Sequence, residues 1–173
     1  RGILRGGVVG TQMTNLGLEH ALQALGVEFA RAKVGDRYVL EMLQERGWQL
    51  GGENSGHIVF LDKHTTGDGI VSALLVLDAL AEAGLTLEQA VADLTMYPQI
   101  LINVAVKERF DFGAHCGVQQ ALADAERDLD GAGRVLLRAS GTEPLIRVMV
   151  EGKAESKVKR WAETIADAVR GAC

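Results

Sequence analysis

The chain has 173 residues, 47% of them hydrophobic and 24% charged, which is enough to bury a core and excludes global disorder. A formal net charge of −5 leaves no overall basic footprint for nucleic acid, so any affinity for an anion has to be local. No apolar run reaches the roughly 20 residues that cross a bilayer, and a cytoplasmic protein without nucleic-acid or membrane partners is expected.

From the N-terminus, Val8-Val9-Gly10-Thr11 is a β-branched run, and from Asn15 the apolar Leu18, Leu22 and Leu25 recur at helical spacing up to Gly26. A second strand over 27–34 completes a right-handed β-α-β unit with parallel strands. Asp36 is expected to cap the next helix, with Val39, Leu40 and Leu43 as its apolar stripe and Gly47 as its stop. A strand at 48–50, a loop from Gly51 to His57 and a strand at 58–61 follow. Asp68 then caps a strongly apolar helix over 70–83, expected to be largely buried. Thr86 to Gln89 has the capping-box spacing for a helix running to about Leu94.

Tyr97-Pro98 breaks the pattern, so domains are expected at 1–97 and 98–173. The second reads as a strand at 100–106, a helix at 117–129, strands at 134–137 and 146–151, and a helix at 156–170. The fold class is therefore α/β plus α+β: a three-layer α/β domain with a mixed sheet, then a smaller β-α-β-β-α domain whose antiparallel sheet carries helices on one face. The stripe Val158, Trp161, Ile165 and Val169 is core packing.

Two loops carry chemistry. In Gly52-Glu53-Asn54-Ser55-Gly56-His57, a carboxylate, a hydroxyl and an imidazole stand between glycines that permit close backbone approach, a set suited to a polyhydroxylated ligand. A Gly-rich hairpin with Glu53 and Asn54 in solvent fits the same residues. In Arg138-Ala139-Ser140-Gly141-Thr142-Glu143-Pro144-Leu145-Ile146-Arg147, a tight bend offers backbone N–H groups and two hydroxyls, flanked by two guanidiniums able to grip a phosphate. Lys33 and Arg37 sit after a strand where α/β sheets bind ligands, although a plain βα turn explains them equally. Asp68 reads as a cap, and His20, His64 and His115 as locally hydrogen-bonded residues; no metal site is expected. Cys116 and Cys173 lack ligand spacing and are expected to be reduced thiols.

The two loops together resemble those of the α-D-phosphohexomutase superfamily, most closely its bacterial members acting on glucosamine phosphates. The likeness extends to Val9-Gly10-Thr11, to Ala32-Lys33-Val34-Gly35-Asp36-Arg37-Tyr38 and to Thr65-Thr66-Gly67-Asp68-Gly69. It implies the third and fourth domains of a four-domain enzyme that interconverts glucosamine 6-phosphate and glucosamine 1-phosphate through phosphoserine and a 1,6-bisphosphate. The family's phosphoserine and magnesium loops do not occur in this sequence. The expectation is thus a substrate-binding half, inactive alone, whose Mg2+ and N-terminal domains lie elsewhere, and Arg1 is read as a cut.

The resemblance implies a phosphate clamp of Arg138, Ser140, Gly141, Thr142 and Arg147. It implies that Glu53 and Ser55 read ring hydroxyls, that His57 moves a proton or positions the reacting oxygen, and that Lys33 and Arg37 add contacts. A phosphomannomutase or phosphoglucomutase half and a non-catalytic sugar-phosphate-binding module stay open as alternatives, as does the oligomeric state.

Overall fold

The computed structural model describes residues 4–106, 111–140 and 143–172 and divides into two compact units, Arg1–Thr95 and Met96–Cys173, each with its own core. Among the described residues no helix is long and apolar enough to cross a membrane.

The first unit runs β1 (Val8–Thr11), α1 (Leu16–Ala24), β2 (Phe29–Ala32), α2 (Asp36–Arg46), β3 (Leu50–Gly52), β4 (Ile58–Phe60), α3 (Gly69–Ala83) and α4 (Leu87–Val91). Its sheet has the order β2-β1-β3-β4, with β1 parallel to β2 and β3, and β4 antiparallel to β3. The chain moves one way from β1 to β2 and back past β1 to reach β3, so right-handed crossovers put α1 and α2 on opposite faces. On the α2 face, Val9, Ala30, Ala32 and Val59 of the sheet bury Val39 and Leu43 of the helix. Contact there is close enough that a Cβ on Gly51 would lie 2.7 Å from Val39 Cγ1 and 2.8 Å from Val9 O. A bare backbone at position 51 is what lets the helix sit down.

Several expectations change. Asp36 is the first helical residue and not the cap; the cap is Gly35, whose φ of +128° suits glycine, and the Asp36 carboxylate accepts from the Arg37 N–H at 2.8 Å. The strand expected at 48–50 lies at Leu50–Gly52, so Gly51 and Gly52 belong to the sheet and only 53–57 turn. Asp68 does cap α3, accepting from the N–H groups of Ile70 and Val71. That helix is not buried, however. Ser72 is its only buried residue, while Ile70, Leu74 and Leu77 are 75%, 61% and 62% exposed. It lies against the three-residue edge strand β4, which is too short to cover a largely apolar helix of 15 residues. α4 ends at Val91, short of Leu94.

The second unit contains β5 (Gln99–Ala105), α5 (Cys116–Leu129), β6 (Gly133–Ala139), β7 (Leu145–Gly152) and α6 (Glu155–Ala172). Its sheet is wholly antiparallel, in the order β5-β7-β6. Alternate strand residues Val104, Ile146, Val148 and Val150 pack with Val118, Ala125 and Leu129 of α5 and Val158, Ile165 and Val169 of α6. The intervening residues, among them Asn103, Arg138 and Arg147, stand on the other face. Asp128 joins the two helices, accepting from Lys157 Nζ, Arg160 Nη2 and Trp161 Nε1 at 3.1, 2.6 and 2.8 Å. β6 reaches Ala139, two residues beyond the expected strand, and so places Arg138 in the sheet and not in the loop. Cys116 is a free, exposed thiol; Cys173 lies outside the described residues.

Candidate functional site

In the first unit, the segments leaving the C-terminal ends of β1, β2 and β3 meet. Glu53 is the hub, with a side chain only 12% exposed. Its Oε2 accepts the Gly35 N–H at 3.2 Å, and its Oε1 accepts the Ser55 hydroxyl at 2.7 Å. Ser55 Oγ also lies 2.9 Å from His57 Nδ1, and Glu53 Oε1 lies 3.5 Å from the same nitrogen. Asn54 Nδ2 donates to Met13 O at 3.1 Å, fastening the loop to the segment after β1. Lys33 and Arg37 both stand over the ring of Tyr38, at 5.7 and 4.7 Å, and Arg37 Nη2 donates to the Tyr38 hydroxyl at 3.0 Å. A groove lined by Thr14, Leu18, Gly52, Glu53 and Asn54 opens beside this cluster. The residues singled out at 33, 37, 53, 55 and 57 thus lie on two segments, the turn from β2 into the first residues of α2 and the β3–β4 loop, tied together through the Gly35 N–H.

Arg31 is a support that sequence reading overlooked. Its Nη1 donates to Thr11 O at 3.1 Å and Thr14 O at 2.6 Å, and Nε and Nη2 donate to Glu19 Oε2 at 3.0 and 2.6 Å. With Thr14 Oγ1 accepting the Thr11 N–H, it sets the turn on which Asn54 docks. The available signal was an arginine inside the short strand Phe-Ala-Arg-Ala, since a cation in a sheet needs partners. His64 Nδ1 lies 3.3 Å from the backbone of Thr66, and His115 occupies the α5 cap position without capping it. Among the described residues no group of three or more His, Cys, Asp or Glu is placed to hold a metal ion.

In the second unit, Arg138 of β6 is directly opposite Arg147 of β7. Like charges in that position oppose each other. The Nε atoms of both arginines are buried without a hydrogen-bond partner among the described residues. Burial first, and the Arg147 charge second, push the Arg138 guanidinium below its usual value. Arg147 Nη2 reaches Glu143 Oε2 only at 3.6 Å. Ser140 closes the bend by donating its N–H to Leu145 O at 2.9 Å, and its Oγ accepts the Glu143 N–H at 3.3 Å. Gly141 and Thr142 lie outside the described residues. Adjacent guanidiniums with unmet N–H groups have the geometry to grip a bidentate oxyanion.

The family model "Phosphoglucomutase/phosphomannomutase, alpha/beta/alpha domain III" matches residues 2–97, and that of the C-terminal domain of the same family matches 101–168. The chain belongs to the phosphoglucomutase/phosphomannomutase family. It is 63% identical over 171 residues to the phosphoglucosamine mutase of Nitrosospira multiformis and to that of Thiobacillus denitrificans, covering 99% of this chain and 37% of each relative. The chain therefore spans just over a third of the length of these phosphohexomutases.

Among solved structures it is similar to Aspergillus fumigatus N-acetylphosphoglucosamine mutase in complex with GlcNAc-6P and magnesium, with a TM-score of 0.80, 25% identity and coverage of 96% of this chain and 42% of that one. A structure of the same fungal enzyme with glucose 1,6-bisphosphate aligns with a TM-score of 0.77 and 26% identity, covering 98% of this chain and 39% of that one.

Proposed function

We propose that the chain is the substrate-binding half of a cytoplasmic phosphoglucosamine mutase, which interconverts glucosamine 6-phosphate and glucosamine 1-phosphate by way of a phosphoserine and a 1,6-bisphosphate. The observation that carries this reading is the pair Arg138 and Arg147, whose buried Nε–H groups lack hydrogen-bond partners among the described residues, in a chain 63% identical to phosphoglucosamine mutases. Two juxtaposed cations cost the fold energy and gain only the long Arg147–Glu143 ion pair in return, whereas a phosphate would neutralise both.

In the cycle, the phosphoserine passes its phosphoryl group to the free hydroxyl of the sugar, and the proton of that hydroxyl ends on the serine oxygen that the phosphoryl group leaves. The bisphosphate then turns and returns its other phosphoryl group to the serine. Whichever phosphate is remote from the serine rests on Arg138, Ser140, Gly141, Thr142 and Arg147. A clamp that reads charge accepts either phosphate. Glu53, Ser55 and His57 face the sugar, with Lys33 and Arg37 beside them. Magnesium would offset phosphoryl charge during transfer. The described residues of this chain do not fit a site for it, and its ligands are assigned to the upstream domains.

Titration of the chain with glucosamine 6-phosphate, followed by amide NMR shifts, tests the clamp. Ser140 and its neighbours should move, and Arg138→Ala should abolish the response. Shifts confined to residues remote from β6 and β7 would overturn it. In the full-length enzyme, kcat/KM should favour glucosamine 1-phosphate over glucose 1-phosphate and mannose 1-phosphate.

A further inference from the structure

The loop 53–57 contains more than three side chains facing a ligand; it contains a directed chain of hydrogen bonds. An ionised carboxylate only accepts, so the single proton of the Ser55 hydroxyl is committed to Glu53 Oε1 at 2.7 Å. Ser55 Oγ can then offer only a lone pair to His57 Nδ1, 2.9 Å away. Glu53 Oε1, also an acceptor, lies 3.5 Å from Nδ1. Both neighbours require a proton on Nδ1. The Glu53 end cannot swing away, because Oε2 is held by the Gly35 N–H.

We infer that Ser55 is a positioning residue which, with Glu53 behind it, fixes neutral His57 as the Nδ1–H tautomer and leaves Nε2 as the open, proton-accepting nitrogen. The His57 side chain is half exposed, and its Nε2 makes no hydrogen bond among the described residues, so that lone pair is available to a ligand hydroxyl. A tautomer is set by what the other nitrogen bonds, and here the setting is made by a serine two residues back in the same turn. Ser55 then acts through His57 in addition to any contact its exposed oxygen makes with the sugar. This consequence for catalysis rests on the mutase reading above; the tautomer does not.

Long-range proton–nitrogen correlation NMR on the chain with 15N-labelled histidine, above the pH at which His57 is protonated, reads the tautomer directly. The expected result is a protonated Nδ1 and an unprotonated Nε2 for His57, moving toward the opposite tautomer in Ser55→Ala and returning in Ser55→Thr, which keeps a hydroxyl. A protonated Nε2 in the unsubstituted chain, or a pattern indifferent to Ser55→Ala, overturns the inference. In the full-length enzyme, Ser55→Ala should lower kcat about tenfold or more, whatever it does to KM, with recovery in Ser55→Thr. A rise in KM at unchanged kcat would make Ser55 a sugar contact alone and overturn its positioning role. Absence of mutase activity in the unsubstituted enzyme would instead sink the functional reading, with the tautomer standing on its own spectrum.

Discussion

Arg138 and Arg147 are opposed across β6 and β7 with their Nε atoms buried and, among the described residues, without hydrogen-bond partners, a local conflict inside a well-packed unit. The sign of its effect follows from the direction of the shift. Arg138 is pushed down by burial and by Arg147, so the folded chain holds that proton less firmly than the unfolded one. The destabilisation is present at every ordinary pH and would be relieved only as pH rose through the lowered value. An anion relieves it without any change of pH. Arg138→Met should therefore leave the melting temperature unchanged or raised, as calorimetry would show, while weakening glucosamine 6-phosphate binding about 10- to 150-fold, the equivalent of about 1.5–3 kcal/mol for a charge-assisted contact. Loss of stability together with loss of binding would mark Arg138 as structural.

At the scale of elements, burial separates what holds the fold from what only looks as though it should. Leu43 of α2 is fully buried against the sheet, so Leu43→Ala should cost about 2–5 kcal/mol in chemical denaturation. Leu77 of α3 is 62% exposed, and Leu77→Ala in this chain should stay within about 0.5 kcal/mol. Equal costs at the two positions would contradict this division. The start of α3 depends on the Asp68 carboxylate, held below the usual range chiefly by the Val71 N–H, with the Ile70 N–H and His64 assisting against desolvation. A depressed carboxylate stabilises the fold above its unfolded value and loses that contribution as pH falls through the folded one. Replacing Asp68 by Ala should flatten the acid limb of the stability curve, whereas Ser at the same position should keep a cap at all pH values.

For the whole molecule, the net charge of −5 describes the surface at large and says little about the site, whose cations are concentrated at Arg138 and Arg147. The chain covers 37% of its bacterial relatives and contains, on the proposed reading, the groups that hold substrate without the groups that transfer phosphoryl. It should therefore bind glucosamine 6-phosphate yet show no turnover by itself. Mixing it with a separately produced upstream portion, charged with phosphoserine and magnesium, should restore conversion to glucosamine 1-phosphate. Turnover by the chain alone would refute that division.

Much of this was legible in residue order. The alternation from β-branched runs to helical periodicity marked the β-α-β entry. Gly47 and Gly84 marked helix ends, the break at Tyr97-Pro98 separated two patterns, and the residues of both loops stood out because carboxylate, hydroxyl, imidazole and guanidinium crowd among glycines. Such signals are local, set by backbone propensity and side-chain chemistry over a few positions. Pairing is not local. That Arg138 faces Arg147 depends on a register in which a slip of one residue would send them to opposite faces. That the apolar α3 is exposed depends on how little sheet lies beneath it. That Ser55 spends its proton on Glu53 depends on a Gly35 N–H from a different loop holding the carboxylate in place. The sequence alone determined which groups are available; tertiary structure decided which of them oppose, bury or orient one another, because those relations join residues the chain order keeps apart.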